Sequence, residues 1–467
     1  MTPNLSLDLS FRFRELLKAD LLPAFQSYLP HDLIEQCCSE CSKKSRERIF
    51  TPDNTLTAML LSATQEDKSL QQCVNVFKHV FEQDCQRLKQ EENELLERQR
   101  NENKETVCSL GRPRKYKSKL PKTKTKEMSD NTAAYSKARK KLDSELIAKV
   151  FTHSADFGEL DKERWHGIQT FISDGTYLQL QDTDDINSEY CVKGMDSSYP
   201  QALLQVFIRQ GTGQISQFSL GNRQESELKL VIPMIKQLGE SNLLLADDLY
   251  NSYYHFSLIL SRKAHIIVPG KRERNYTVVK ELSETDQIVE IRKTKCPLYL
   301  DKKEWAQVPD TLWLRRISYM YPTKNGSEEC VLFTTILDEN IKEIEIILKY
   351  STRWEIEISI REIKTLMDIN VLRSKSRDMM GKELAVALTA YNLIRKVIAQ
   401  SADNVGFSPQ EDIFQKCTPF SRPILMDKKG RVFYRWSTGR YGKTAQTNKP
   451  KTDSRTERKT KALPENN

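Results

Sequence analysis

From Trp165 onward the chain changes texture in a way that few architectures accommodate. GIQTFISDGTYLQLQDT is β-like, with an Asp-Gly pair between two strand-forming runs, and ALLQVFIRQ and GQISQFSLG add two more candidate strands. Helix and strand then alternate: SELKLVIPMIKQL reads as helix, NLLLAD as a short apolar strand, SYYHFSLILSRK as helix and AHIIVP as a further buried strand. Three strands in a meander followed by alternating helix and strand predict a mixed α/β sheet. Between about 270 and 335 the alternation breaks. YTVVKEL, QIVEIRKT, LWLRRISY and CVLFTTIL are β-rich, and the stretch reads as an all-β insertion. Helical periodicity resumes at Asn340 and runs to about Gln400.

Upstream, residues 1 to about 80 read as helical, with apolar residues three or four apart and a start signal at Pro52 and Asp53. Residues 81 to 106 are almost wholly polar, with charge pairs at i, i+4, and predict an exposed helical arm. Residues 111 to 126 are basic, contain Pro and lack periodicity, so they read as loop; helix returns near Asn131. The expected organisation is a helical N-terminal region (1–110), a basic linker and helix (111–164), a first part of the core (165–268), a β-rich insertion (269–337), a second part of the core (338–405) and a basic tail (406–467). A length of 467 residues suffices for two or three domains.

The net charge of +9 is modest, but much of it lies in GRPRKYKSKLPKTKTKEM at 111 to 128 and in the tail from Lys428. Polyanions are the natural partners of such runs. No apolar run is long enough to span a bilayer, and the N-terminus shows no signal-peptide pattern. Ten cysteines are scattered along the chain; Cys37, Cys38 and Cys41 cluster without a second Cys-x2-Cys half, which favours free thiols in a reducing cytosol over structural zinc.

One stripe of YSTRWEIEISIREIKTLMDINVLRSK carries an unusual set of polar groups. Tyr350, Arg353, Glu357 and Lys364 stand at offsets of 0, 3, 7 and 14. On a continuous helix they project into an arc of roughly 60°. Ile356, Ile360, Ile363 and Met367 form a core-facing stripe beside them. Two further carboxylates stand where a backbone can aim them into a site: Asp174 in a strand before Gly175, and Asp247 at the end of NLLLAD, the edge where open α/β sheets build their sites. Each acid also has a purely structural reading. Asp174-Gly175 fits a hairpin turn, Asp247 or Asp248 fits a helix N-cap, and Glu357 fits ion pairs with Arg353 and Arg361.

ISDGTYLQLQDT, LLLADDLYNSYYHF, YSTRWEIEISIREIKTLMDINVLRSKS and KELAVALTAYNLIRK together resemble the DDE transposases of bacterial insertion sequences, the group whose third acid sits in a Y-R-E-K signature. RERIFTPDNTLTAMLLSATQEDKS and DNTAAYSKARKKL resemble that family's N-terminal region. The resemblance implies an RNase H-like catalytic core with a β insertion between the second and third acids. It implies Asp174, Asp247 and Glu357 as catalytic residues holding Mg²⁺ or Mn²⁺, with Arg353, Lys364 and Tyr350 on DNA phosphates. Asp248 and Leu249 stand where the family commonly has Arg or Tyr. Trp305 and Trp313 are candidates to stack on a displaced base, and Arg315 and Arg316 beside Trp313 favour that residue for DNA. Arg112 and Arg114 in GRPRK resemble a minor-groove hook. The implied partners are element-end and target DNA, with a homodimer in a synaptic complex, no membrane, and a bacterial, nucleoid-associated location. An inactive copy kept as a DNA-binding protein, or a nuclease that cuts without joining, would carry the same fold.

Overall fold

The computed structural model describes residues 25, 27–41, 49–65, 67–105, 128–191, 199–271, 274–323, 326–405, 424–426 and 432–434. Met1–Cys417 is one unit and Thr418–Asn467 a second, in which an antiparallel pair, Ile424–Met426 with Val432–Tyr434, is described.

The first unit is built on a nine-stranded mixed sheet of order β3-β2-β1-β4-β5-β9-β8-β7-β6. β1 (Gln169–Gln179), β2 (Gln201–Arg209) and β3 (Ile215–Asn222) form the antiparallel meander. β4 (Asn242–Leu245) and β5 (His265–Pro269) continue from β1 in parallel. Three antiparallel strands followed by two parallel ones, with helical crossovers, make the RNase H-like arrangement. The insertion supplies β6 (Tyr276–Glu281), β7 (Asp286–Arg292), β8 (Thr311–Thr323) and β9 (Gly326–Thr334), which pair antiparallel in series. β9 also pairs antiparallel with β5, so the insertion extends the central sheet.

Each face of the sheet has its own core. Leu243, Leu245 and Ile267 belong to one buried cluster, and Leu244, Ala246, Ile266 and Val268 to the other. Burial on both faces explains why NLLLA and HIIV are unbroken apolar runs rather than alternating ones. The first core also takes in the N-terminal helices α1 (His31–Cys41), α2 (Pro52–Ala63), α4 (Thr132–Lys141) and α5 (Ser144–Ser154), through Ile34, Leu56, Tyr135 and Leu146. α3 (Leu70–Glu105) packs only its first turns there, through Cys73, Val74 and Phe77. Its later turns, where burial is described, are mostly exposed. α6 (Asp184–Tyr190), between β1 and β2, goes unpredicted by the sequence pattern.

The helix expected over SELKLVIPMIKQL is two single turns, α7 (Glu227–Leu230) and α8 (Ile232–Ile235). Pro233, lacking an N–H, sits at the start of the second turn. α9 (Tyr253–Ser261) follows β4, and α10 (Lys302–Ala306) is a short helix within the insertion. α11 (Glu343–Ser351), α12 (Glu355–Leu366) and α13 (Arg377–Val405) close the first core. No helix among the described residues is long and apolar enough to cross a membrane. Cys37, Cys38 and Cys41 are free thiols on α1.

Candidate active site

The sheet opens at one place. β4 accompanies β1 only from Gln169↔Asn242 to Ile172↔Leu245, and beyond Ala246 the chain turns out of the sheet. Between Ile172 and Gln179, where β1 next bridges Val371, this edge of β1 is therefore open, the kind of notch at which open α/β sheets bind ligands.

Asp174 lies two residues into that notch, opposite Val206 of β2. The Asp-Gly pair is thus not a hairpin turn: β1 runs straight through it, because both residues are held by continuous pairing with β2. Burial pushes the Asp174 carboxyl above the usual range; the Gly175 N–H and Arg353 oppose this, and Asp247 and Glu357 add to it. Asp174, Asp247 and Glu357 come from segments far apart in sequence and meet in one electrostatic neighbourhood.

Asp247 follows β4 and begins a single 3-10 turn, Asp248–Tyr250, whose Leu249 N–H donates to Asp247 Oδ1 at 3.0 Å. It caps that turn and also acts on Asp174, so the two readings of this residue coexist. Asp248 accepts from the Lys271 N–H at 3.0 Å and acts on Arg274, on the side of the chain that leaves β5.

Glu357 stands on α12, exposed, with Arg353 Nη2 at 3.9 Å. Ile356, Ile363 and Met367 are buried beneath it and Ile360 is half-buried. A single helix through the signature does not form. α11 ends at Ser351, Thr352–Trp354 is a 3-10 turn, and α12 begins at Glu355. Ser351 Oγ donates to Leu348 O at 2.6 Å and Thr352 Oγ1 to Lys349 O at 2.7 Å, local bonds that compete with helix propagation. The break is pinned from below, where buried Lys349 donates to Gln210 Oε1 and Gln210 donates to Glu355 Oε1 at 3.3 Å.

Tyr350 therefore belongs to the last turn of α11, off the helix that carries Glu357. It still faces the notch: burial raises its hydroxyl to about 12, Arg353 lowers it, and Asp247 and Asp248 act on it. Lys364, half-buried two turns along α12, is not among the main charges acting on Asp174.

Further out, Trp313 is 52% exposed and Nε1 donates to Glu290 Oε2 at 3.4 Å. Trp305 is half-buried against Tyr253, with Lys293 Nζ 5.2 Å from its ring centre. Arg315 does not accompany Trp313 toward DNA. It is 1% exposed, bonded to Asp286 through Nε at 2.8 Å and to the Asp338 and Ile341 carbonyls. Arg316 lies over Tyr276 at 5.5 Å. Arg112 and Arg114 lie outside the described residues.

Glu227, at the start of α7, has no sequence signal beyond that of an ordinary helix-start acid. Burial pushes its carboxyl up to about 7, helped by Asp247 and Asp174 and opposed by hydrogen bonds from Tyr250 and Gln205. The acids share a neighbourhood without closing on a common point: among the described residues no group of three or more acidic, histidine or cysteine side chains forms a ready metal cluster.

Residues 165–393, from the entry into β1 to well within α13, match the family model of the transposase DDE domain. The chain is 26% identical over 312 residues to transposase InsG for insertion sequence element IS4 of Escherichia coli (strain K12), covering 64% of this chain and 68% of that protein. Among solved structures it aligns with the cryo-EM structure of a piggyBac transposase synaptic complex with hairpin DNA, at a TM-score of 0.38 and 11% identity, over 86% of this chain and 80% of the other. Residues 165–393 thus carry a transposase DDE domain, and the chain is similar to a transposase of an insertion sequence, a class of enzyme that cuts and transfers DNA.

Proposed function

We propose that this transposase hydrolyses phosphodiesters at its element's ends and transfers the exposed 3′-hydroxyls into target DNA, with Asp174, Asp247 and Glu357 holding Mg²⁺ or Mn²⁺. The observation that carries the reading is the convergence of Asp247, Glu357 and Arg353 on Asp174, from the end of β4, from α12 and from the turn before it. The donor set fits a hard divalent cation: every candidate ligand is a carboxylate oxygen. Carboxylates crowded at a half-buried notch also call for added positive charge, since neither burial nor like charge favours their ionised forms. Bound cations would stabilise negative charge on the attacking and leaving oxygens of an in-line displacement.

Arg353 has the reach and planar fork to take a phosphate, giving up its loose contact with Glu357. Lys364 supplies a point charge further along the strand of DNA. Tyr350, whose hydroxyl stays protonated at neutral pH, donates to a phosphate oxygen. Exposed Trp313 offers a ring on which a displaced base can stack. The N-terminal helices, with Arg112 and Arg114 of the basic stretch, recognise the terminal repeats, and two chains pair in a synaptic complex.

A gel assay with element-end DNA and Mg²⁺ tests this reading. Cut ends followed by joined products are expected. Binding without cutting would mean an inactive copy retained as a DNA-binding protein, and cutting without joining would mean a nuclease.

A further inference from the structure

The notch has a second wall. Along β1, Ile172 and Leu178 face the core that holds α12, and Asp174 shares their side by strand alternation. Phe171 faces the opposite core, and Ser173 and Gly175 share its side. On that opposite side Tyr250, fully buried, meets Ser173 Oγ at 2.8 Å. Gln205 Nε2 donates to Tyr250 Oη at 2.6 Å and to Ser173 Oγ at 2.9 Å. Tyr250 Oη in turn donates to Glu227 Oε1 at 3.4 Å.

Gly175 leaves the room these groups need. A Cβ there would lie 2.7 Å from Gln205 Oε1, 3.2 Å from Glu227 Cδ and 3.3 Å from Glu227 Oε1. The space is thus lined by oxygens, and one of them is orphaned: Gln205 is 0% exposed and its Oε1 has no hydrogen-bond partner among the described residues. A buried acceptor without a donor marks a place where a donor belongs. Glu227 beside it lies within the field of Asp247 and Asp174, across the open edge where β4 has ended.

We propose that Glu227 and Gln205 form the outer wall of the divalent-cation site, accepting hydrogen bonds from the water shell of the ion held by Asp174 and Asp247. Mg²⁺ gives up its waters reluctantly, so a site with few direct protein ligands needs acceptors arranged around the remaining waters. The orphaned amide oxygen and the Glu227 carboxylate supply acceptors from the face of the sheet opposite Glu357. Glu227 is a positioning residue in this account, and the account rests on the reading of Asp174 and Asp247 as cation ligands.

Mn²⁺ binding to the full chain without DNA, followed by electron paramagnetic resonance, tests it apart from activity. Glu227→Gln is expected to weaken Mn²⁺ binding about tenfold or more, as loss of an outer-shell partner does. Its melting temperature in chelator should be no lower than that of the parent, because a like charge has been removed from a half-buried cluster. Gln205→Met, which deletes the orphaned acceptor, is an independent variant and should weaken Mn²⁺ binding as well. Parent-like Mn²⁺ affinity in either folded variant, while Asp174→Asn loses binding, would overturn the outer wall alone. Parent-like affinity in Asp174→Asn and Asp247→Asn would overturn the underlying assignment instead.

Discussion

Trp313 and Arg315 stand two residues apart on β8, and their different environments show how little residue type says about role. Arg315 is spent on structure: with Asp286 it forms a pair in which each residue is 1% exposed, and its Nη1 donates to two backbone carbonyls. Arg315→Met would strand the Asp286 charge in the core, at a cost of about 3–5 kcal/mol in urea unfolding. Arg316→Met, half-exposed over Tyr276, should stay within about 0.5 kcal/mol of the parent. His255 gives stability a pH signature. It is fully buried among Tyr250, Tyr254 and Tyr299, Nε2 pairs with the Leu228 carbonyl at 3.0 Å, and burial drives its pKa from 6.5 to about 4. The folded chain then holds fewer protons than the unfolded chain between those values. Its contribution is intact above the ordinary value and is lost as pH falls from 6.5 through about 4, to a total of about 3 kcal/mol. Urea midpoints across that window should fall more steeply for the parent than for His255→Gln.

At the scale of elements, legibility followed how locally each feature is determined. β4 and β5 were readable because burial on both faces leaves a continuous apolar run, and the three-strand meander because its runs are long. The breaks were not. Thr352–Trp354 and Pro233 interrupt segments whose apolar spacing is helical on both sides, so periodicity carried the reading across them. Asp174 in a strand, Asp247 just after one and Glu357 on a helix were readable from the local pattern, but their mutual approach was implied only by the family resemblance. Glu227 was invisible because it reaches the notch across the sheet, and a local pattern does not say what lies on the other face. α12 offers a direct test of anchoring. Ile363 is 2% exposed beneath the helix that carries Glu357. Ile363→Ala should cost about 2–5 kcal/mol, and end cutting should slow even where circular dichroism shows the chain fully folded.

The acidic notch and the N-terminal helices belong to a single unit, and the densest basic runs, at 111 to 128 and from Lys428, are other stretches of the sequence. On the proposed function, recognition of DNA and its cutting are separable by mutation. Gln in place of both Arg112 and Arg114 should weaken end-DNA binding and flatten the dependence of log affinity on log salt by about 2, through lost counterion release. Fluorescence anisotropy over a salt series measures that slope, and an unchanged slope would exclude the basic stretch from the DNA contact. Cutting of DNA already bound should be spared in the same variant.

Three carboxylates, from β1, the end of β4 and α12, are proposed to act as one unit, and single-turnover cutting of end DNA tests this most directly. Asp174→Asn, Asp247→Asn and Glu357→Gln should each lower the rate by on the order of 10⁴ with end-DNA binding retained. The Asp174→Asn/Glu357→Gln double variant should be no slower than either single one, because groups that act together are not additive. Any one of the three variants cutting within about tenfold of the parent, or a double variant whose losses multiply, would contradict the site as assigned.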